Sequence, residues 1–303
     1  MKKTSALALA IAGTIAAPAA MAESGYYMSA RLGVDMNMND DATQESTTFG
    51  NLSSRMGWRM ETDLGNGKTA YGKYEVSLTS LSTRDLYVGL KGDFGDIKVA
   101  EAAYTAFYNN VTGPVDQPYW VGGKGIVKSG TGRTHKAISY MGGTDAFSFE
   151  VTGEADGTDT TTTDGNTGLS GYQIGATIGL GDWSVGLGAR NSEDTDPVNG
   201  ANTATDGTLS GIVVSGGFGD IGLALSFMTD DTYDGSQLHA TFGSFFFNYG
   251  QLDDGNTTPS TIAVGYSRSI GRNTSFWVEA ASNDSDGGND SQEVVGAIRY
   301  DWN

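Results

Sequence analysis

Apolar and polar residues alternate at period 2 along segment after segment of this chain, and helical periodicity is scarce. Between Ser53 and Glu61, the residues Ser54, Met56, Trp58 and Met60 share one face while Ser53, Arg55, Gly57, Arg59 and Glu61 share the other. Ala70, Gly72, Tyr74 and Val76 alternate in the same way with Thr69, Tyr71, Lys73 and Glu75, as do Leu86, Val88 and Leu90 with Asp85, Tyr87 and Gly89. Near the end, Val294, Gly296, Ile298, Tyr300 and Trp302 alternate with Glu293, Val295, Ala297, Arg299 and Asp301. Each segment runs for about 8 to 11 residues, the length a tilted strand needs to cross a bilayer.

Alternation alone fits a soluble sandwich as well as a membrane barrel, so the connections decide. Seven are short and rich in Gly or Asx: 63–68, 92–96, 142–145, 181–182, 218–220, 242–244 and 269–273. Eight are long: 35–50, 78–83, 101–135, 156–167, 191–206, 229–236, 253–260 and 283–291. The two kinds alternate, and fifteen connections join sixteen strands. The pattern predicts an all-β, 16-stranded antiparallel transmembrane β-barrel with short turns at one end and long loops at the other. Lipid offers no partner to an unpaired backbone group, which is why such a sheet closes. Pro114, Pro118, Pro197 and Pro259 all fall in predicted loops, so no ladder loses a donor. Trp58, Phe94, Trp183, Phe218, Phe242, Tyr300 and Trp302 gather beside the short turns, as an aromatic girdle would.

The first 22 residues read differently. Lys2 and Lys3 precede an apolar run from Ala6 to Ala17 and the small-residue site Ala20-Met21-Ala22, a pattern that predicts a cleaved secretory signal over 1–22 and a barrel domain over 23–303. The run is too short to span a bilayer, and no other stretch offers 18 consecutive apolar residues. Removing Lys2 and Lys3 leaves 16 basic against 36 acidic side chains, a formal charge of −20 that repels nucleic acid and attracts cations. The absence of cysteine excludes disulfides, thiolate metal sites and a cysteine nucleophile.

The stretch 82–96, Ser-Thr-Arg-Asp-Leu-Tyr-Val-Gly-Leu-Lys-Gly-Asp-Phe-Gly-Asp, together with 61–67, Glu-Thr-Asp-Leu-Gly-Asn-Gly, resembles the general porins of the Gram-negative outer membrane. The resemblance implies a water-filled 16-stranded barrel in the outer membrane, commonly a homotrimer, surrounded by lipid and lipopolysaccharide. Its short turns would be periplasmic, its long loops extracellular, and its third loop would fold inward to narrow the pore. Small hydrophilic solutes and ions would pass by passive diffusion. The third loop departs from the family pattern, since 113–123 lacks an acidic cluster and offers only Glu101 and Asp116 nearby, with Lys124, Lys128 and Arg133 beyond.

Arg31, Arg55, Arg59, Lys73 and Arg299 fall on the polar face of the first three strands and the last one. In a closed barrel the last strand meets the first, so these five share one wall. A lipid-facing Arg costs roughly 2–4 kcal/mol at mid-depth, which points them at the lumen. Pairing with Glu61, Glu75, Glu293 and Asp301 is the alternative account of the same residues. The third loop is too long for a simple connection, and an inward fold would bring Tyr119, Trp120 and Lys124 to the basic wall beside Glu101 and Asp116.

Outside the third loop the long connections carry 19 Asp or Glu and no Lys or Arg, an acidic vestibule. The basic wall argues for anions; Glu101, Asp116 and the overall charge argue for cations, and the balance leans weakly to cations. No acidic run matches a calcium-binding loop, and only His135 and His239 are available for imidazole chemistry, without a metalloprotease, nucleophile-elbow or phosphate-loop motif. Gly217-Phe-Gly-Asp-Ile-Gly222 fits a dinucleotide fingerprint but sits at a predicted hairpin with no helix after it. The residues therefore predict no enzyme, cofactor or metal. A soluble, secreted β-rich adhesin with acidic loops is the competing expectation.

Overall fold

The computed structural model describes residues 23–41, 43, 45–115, 133–155, 171–192 and 208–302. The expected signal segment 1–22 lies outside the described residues, as do Asp116, Tyr119, Trp120 and Lys124.

One antiparallel sheet contains all the strands: β1 (Glu23–Asn39), β2 (Ser46–Asn51), β3 (Arg55–Gly65), β4 (Lys68–Ser77), β5 (Thr83–Gly92), β6 (Gly95–Ala103), β7 (Thr134–Thr144), β8 (Phe147–Glu154), β9 (Gly171–Leu180), β10 (Trp183–Ser192), β11 (Leu209–Phe218), β12 (Ile221–Thr229), β13 (Asp234–Phe242), β14 (Phe245–Asp253), β15 (Ser260–Ser269), β16 (Thr274–Asp284) and β17 (Ser291–Trp302). β1 pairs with β2 and β3, each strand from β3 onward pairs with the next, and β17 pairs with β1 from Met28↔Trp302 to Asn39↔Ser291, which shuts the barrel. Strands β2 and β3 are consecutive halves of one stave, because both pair with β1, β2 along Leu32–Asn37 and β3 along Glu23–Ser29. The seventeen strands thus make the sixteen staves expected from the connections.

The stave breaks at Leu52–Ser54 for a polar reason. Ser54 was expected on the apolar face, but its hydroxyl accepts from the Arg31 backbone N–H (2.8 Å) and is buried. Ser53 turns the chain there with φ 65°. Because β1 and β2 run on past the predicted boundary, the first long connection spans 40–45 rather than 35–50. The extension keeps the alternation, with Val34, Met36 and Met38 on one face and Asp35, Asn37 and Asn39 on the other. The third connection is also shorter than expected, 104–133 rather than 101–135.

The outer face is apolar. Val88 is 60% exposed and Trp58 42%, values that lipid rather than water accounts for in a closed sheet. At the short-turn end, Tyr26 packs edge-on against Trp58 with ring centroids 5.3 Å apart, and Tyr300 against Trp302 at 4.2 Å. Two of the short turns place Gly219 (φ 59°) and Gly243 (φ 56°) in the left-handed conformation that lets two residues reverse the chain.

One buried apolar cluster gathers Leu52 with Ala263, Trp277, Ala281, Val295 and Ala297 of β15–β17, and two others lie where the third connection enters the barrel. Phe107 and Val111 pack with Leu209, Met228, Tyr233 and Leu252, and Val115 packs with Val213 and Ala224.

Candidate pore and its constriction

The first part of the third connection, Tyr104 to Val115, leaves β6 and folds into the lumen. It makes one wide turn over Tyr108–Thr112, closed by the Gly113 N–H donating to the Tyr108 carbonyl (2.8 Å). Gln173, fully buried on β9, clamps its start: Oε1 accepts from Thr105 Oγ1 (2.9 Å) and from the Phe107 N–H (3.0 Å), while Nε2 donates to Thr134 and to Glu154 (both 2.7 Å). Asn109 donates to Glu150 on β8 (2.7 Å), Thr177 on β9 donates to Asn110 (2.8 Å), and Gln237 on β13 donates to the Val115 carbonyl (2.8 Å). Fully burying Phe107 and Val111 adds roughly 1.5–3 kcal/mol each.

Glycines make this contact possible. A Cβ on Gly188 would stand 2.8 Å from Val111 Cγ2, one on Gly211 would stand 2.6 Å from Val111 Cγ1, and one on Gly186 would overlap the Asn110 carbonyl oxygen. The high glycine content of β10 and β11 is therefore partly a footprint for the loop.

The loop segment is thus fastened to the β8–β13 side, and among the described residues a space lies between it and β1 with β3–β6. That space is a cavity of about 820 Å³, bounded by Tyr104 and Asn109 of the loop on one side and by Arg59, Lys73, Tyr87 and Lys98 among others on the wall.

Five basic residues were expected on one wall, and they do stand together. Arg31 of β1 is directly opposite Arg299 of β17; Arg55 and Arg59 lie on β3; Lys73 on β4 is directly opposite Arg59. Their environments differ. Arg55 lies 3.8 Å from Glu75, Lys73 bridges Glu75 (3.3 Å) and Asp85, and Arg299 pairs with Asp301 (2.8 Å). Among the described residues no carboxylate is within ion-pair distance of Arg31 or Arg59. Arg31 is buried, with Nε 3.4 Å from Ser29 Oγ, and Arg59 lies over the Tyr27 ring (4.7 Å to its centre).

Glu75 is the hub of this wall. It accepts from Tyr27 Oη (2.6 Å) and Arg84 Nε (2.9 Å) and lies 3.9 Å from Arg133. Arg133, which immediately precedes β7, also pairs with Asp85. Burial acts to lower the Arg133 pKa, but Tyr104, Asp85 and Glu75 outweigh it and leave the group raised, so it is cationic at every working pH. Around Glu75, Asp85 and Asp301 stand Arg31, Arg55, Lys73, Arg84, Arg133 and Arg299, six cations to three carboxylates.

Glu101 is a correction to its expected place. It belongs to β6 rather than the third connection, at the point where the β5–β6 register shifts, and it is exposed and absent from the cavity lining. Several wall residues escaped the sequence reading. Lys91 continues the alternation of Tyr87 and Gly89 along β5, so that signal was present, and Lys98 of β6 stands opposite Gly89 on the same face. Arg84 was hidden by the register shift between Glu75 and Val76, and Arg133 by its place in an aperiodic loop.

A closed barrel with apolar outside, charged inside and a loop narrowing the lumen defines a membrane channel. A family model for Gram-negative porins matches residues 5–288, and the chain belongs to that family. No curated protein matches it in sequence. Solved structures share its fold at low identity. The anion-selective porin from Comamonas acidovorans is 16% identical with TM-score 0.71, covering 93% of this chain and 100% of that one. Salmonella typhi OmpF, in a complex with daunomycin, is 14% identical with TM-score 0.71, covering 92% and 97%. OmpT of Vibrio cholerae, in a trimer form, is 14% identical with TM-score 0.67, covering 93% and 99%.

Proposed function

We propose that this porin is a passive outer-membrane diffusion pore whose narrow part is the gap between the inward loop segment and the basic wall of β1 and β3–β6, and that this part favours anions. The observations that carry the reading are the cavity lining, where Arg59, Lys73, Lys91 and Lys98 stand against Glu61, Asp85 and Asp96, and the lack of a carboxylate within ion-pair distance of Arg59 there, or of Arg31 behind it, among the described residues. Selectivity is set where the lumen is narrowest and least screened, so this surplus counts for more than the acidic loops, whose field fades within about 10 Å at moderate salt. The sequence-based leaning to cations rested on Glu101, Asp116 and total charge; without Glu101 in the lining that side of the balance is weaker. The Comamonas porin of the same fold is anion-selective by name, which agrees with this reading.

Transport then needs no bond chemistry: the solute gradient drives it, and side chains set limits of size and charge. We assign 1–22 as the cleaved export signal, 23–303 as the barrel, lipid and lipopolysaccharide as the surroundings, and a homotrimer as the assembly, the last in keeping with the trimer form of Vibrio OmpT. The reversal potential in a planar bilayer across a KCl gradient tests the ion preference. A potential of the sign set by chloride supports it, and one of the sign set by potassium overturns it.

A further inference from the structure

Tyr27 of β1 reaches across a whole strand on the lumen face. It is paired with Gly57 of β3, and Gly57 is paired with Glu75 of β4. Because Gly57 has no side chain, the ring can cross β3, so close that a Cβ on Gly57 would stand 2.8 Å from its Oη, and the hydroxyl donates to Glu75 Oε2 (2.6 Å). The other oxygen, Oε1, accepts from Arg84 (2.9 Å), so both oxygens of Glu75 are engaged.

Arg59 stands two residues beyond Gly57, paired with Gly25 of β1 and Lys73 of β4, which makes it a diagonal neighbour of both Tyr27 and Glu75. Diagonal neighbours on one face are roughly 7–8 Å apart, within reach of a long side chain. Arg59 does not use that reach. Its guanidinium lies over the Tyr27 ring, 4.7 Å from the centre, and the residue is exposed, with no carboxylate within ion-pair distance among the described residues. The same device recurs one strand along. Tyr71 of β4 lies across Gly89 of β5 and donates to Asp96 of β6, while Lys91, which is paired with Asp96 in register, lies 5.7 Å from the Tyr71 ring centre and bonds to Glu61 instead. In both places a tyrosine hydroxyl holds a carboxylate beside a cation that stays off it.

We infer that Tyr27 is a positioning residue for ion selectivity: its ring holds the Arg59 guanidinium at the cavity, and its hydroxyl occupies Glu75 Oε2, so that Arg59 meets passing anions instead of neutralising Glu75. The inference rests on the reading of the chain as an anion-favouring pore and names the residue that keeps this cation available. Without the ring, Arg59 can cross the Gly57 footprint and pair with Glu75, which takes its charge out of the path.

A double-mutant cycle read as reversal potential across a KCl gradient in planar bilayers tests this. In the unaltered protein Arg59→Gln should lower the chloride-to-potassium permeability ratio by about twofold to fivefold, the worth of one charge a few ångströms from the path in water. Tyr27→Leu should lower it by a similar factor, and Arg59→Gln added to Tyr27→Leu should change it by less than about 1.5-fold, because the two residues act through one interaction. Tyr27→Ser, a polar replacement that also lacks the ring, carries the same expectation if Tyr27→Leu does not insert. Equal responses to Arg59→Gln with and without the ring overturn the inference, as does the absence of any response in the unaltered protein. A potential of the sign set by potassium in the unaltered protein defeats the anion reading itself, whereas one of the sign set by chloride without coupling between Tyr27 and Arg59 defeats only the role of Tyr27.

Discussion

Arg31 of β1 stands directly across the closing seam of the barrel from Arg299 of β17, two guanidinium groups on one register pair of the lumen face. Like charges placed opposite each other destabilise a strand pair, and among the described residues only Arg299 of the two has a carboxylate, Asp301, within ion-pair distance. The pair therefore looks like a cost to stability that selects ions. Arg31→Gln should move the KCl reversal potential towards cations while raising stability by about 0.2–1 kcal/mol, as read from the urea midpoint of the barrel in vesicles. An unchanged reversal potential would remove Arg31 from the selective part of the pore.

Gln173 ties the inward loop to β9 through Thr105 and Phe107. Gln173→Ala leaves the Phe107 N–H and Thr105 hydroxyl without this acceptor and Thr134 and Glu154 without this donor, a loss of about 1–3 kcal/mol centred on the loop's docking. The expected result is a noisier and larger single-channel current with an unaltered β-sheet circular dichroism spectrum. A current equal to that of the unaltered protein would show that other contacts hold the loop alone.

Glu75 holds together Arg55, Lys73, Arg84 and Arg133. Glu75→Gln keeps the shape but removes the one carboxylate besides Asp85 that, among the described residues, pairs with that group. The folded barrel should lose its heat-resistant gel migration at a lower temperature, corresponding to about 1–3 kcal/mol, and the reversal potential should move further towards anions.

The two faces of one strand should respond oppositely to charge. Val88 of β5 is 60% exposed on the outer face, so Val88→Arg should cost about 2–4 kcal/mol in vesicle unfolding titrations. Adding Arg at the neighbouring lumen position, Gly89→Arg, should instead act on the current, since it displaces the Tyr71 ring. Equal stability of Val88→Arg and the unaltered protein would mean that this face does not meet lipid.

Much of this architecture was legible because a membrane barrel writes its two faces into every strand. Met56, Trp58 and Met60 against Arg55, Arg59 and Glu61 specify which side meets lipid without any tertiary information, and alternating short and long connections count the staves. What was illegible depends on distant contacts or on slips in register. Asp35, Asn37 and Asn39 look like loop residues until Val295, Glu293 and Ser291 of β17 and Thr48 and Ser46 of β2 are seen beside them. Glu101 and Arg84 both sit where pairing shifts by one residue, which defeats a strict period of 2. The loop's docking onto Gln173 joins residues 66 to 68 positions apart, and no local pattern announces it.

A water-filled path should run along the basic wall, between that wall and the inward loop. The chain has no cysteine, so single thiols can report it without background. Arg59→Cys should react with a water-soluble, charged thiol reagent and change the single-channel current, while Val88→Cys, on the lipid side one strand beyond its neighbour, should neither react nor alter it. Labelling of Val88→Cys with Arg59→Cys left untouched, or labelling of Arg59→Cys with no change in current, would mean that no such path follows this wall.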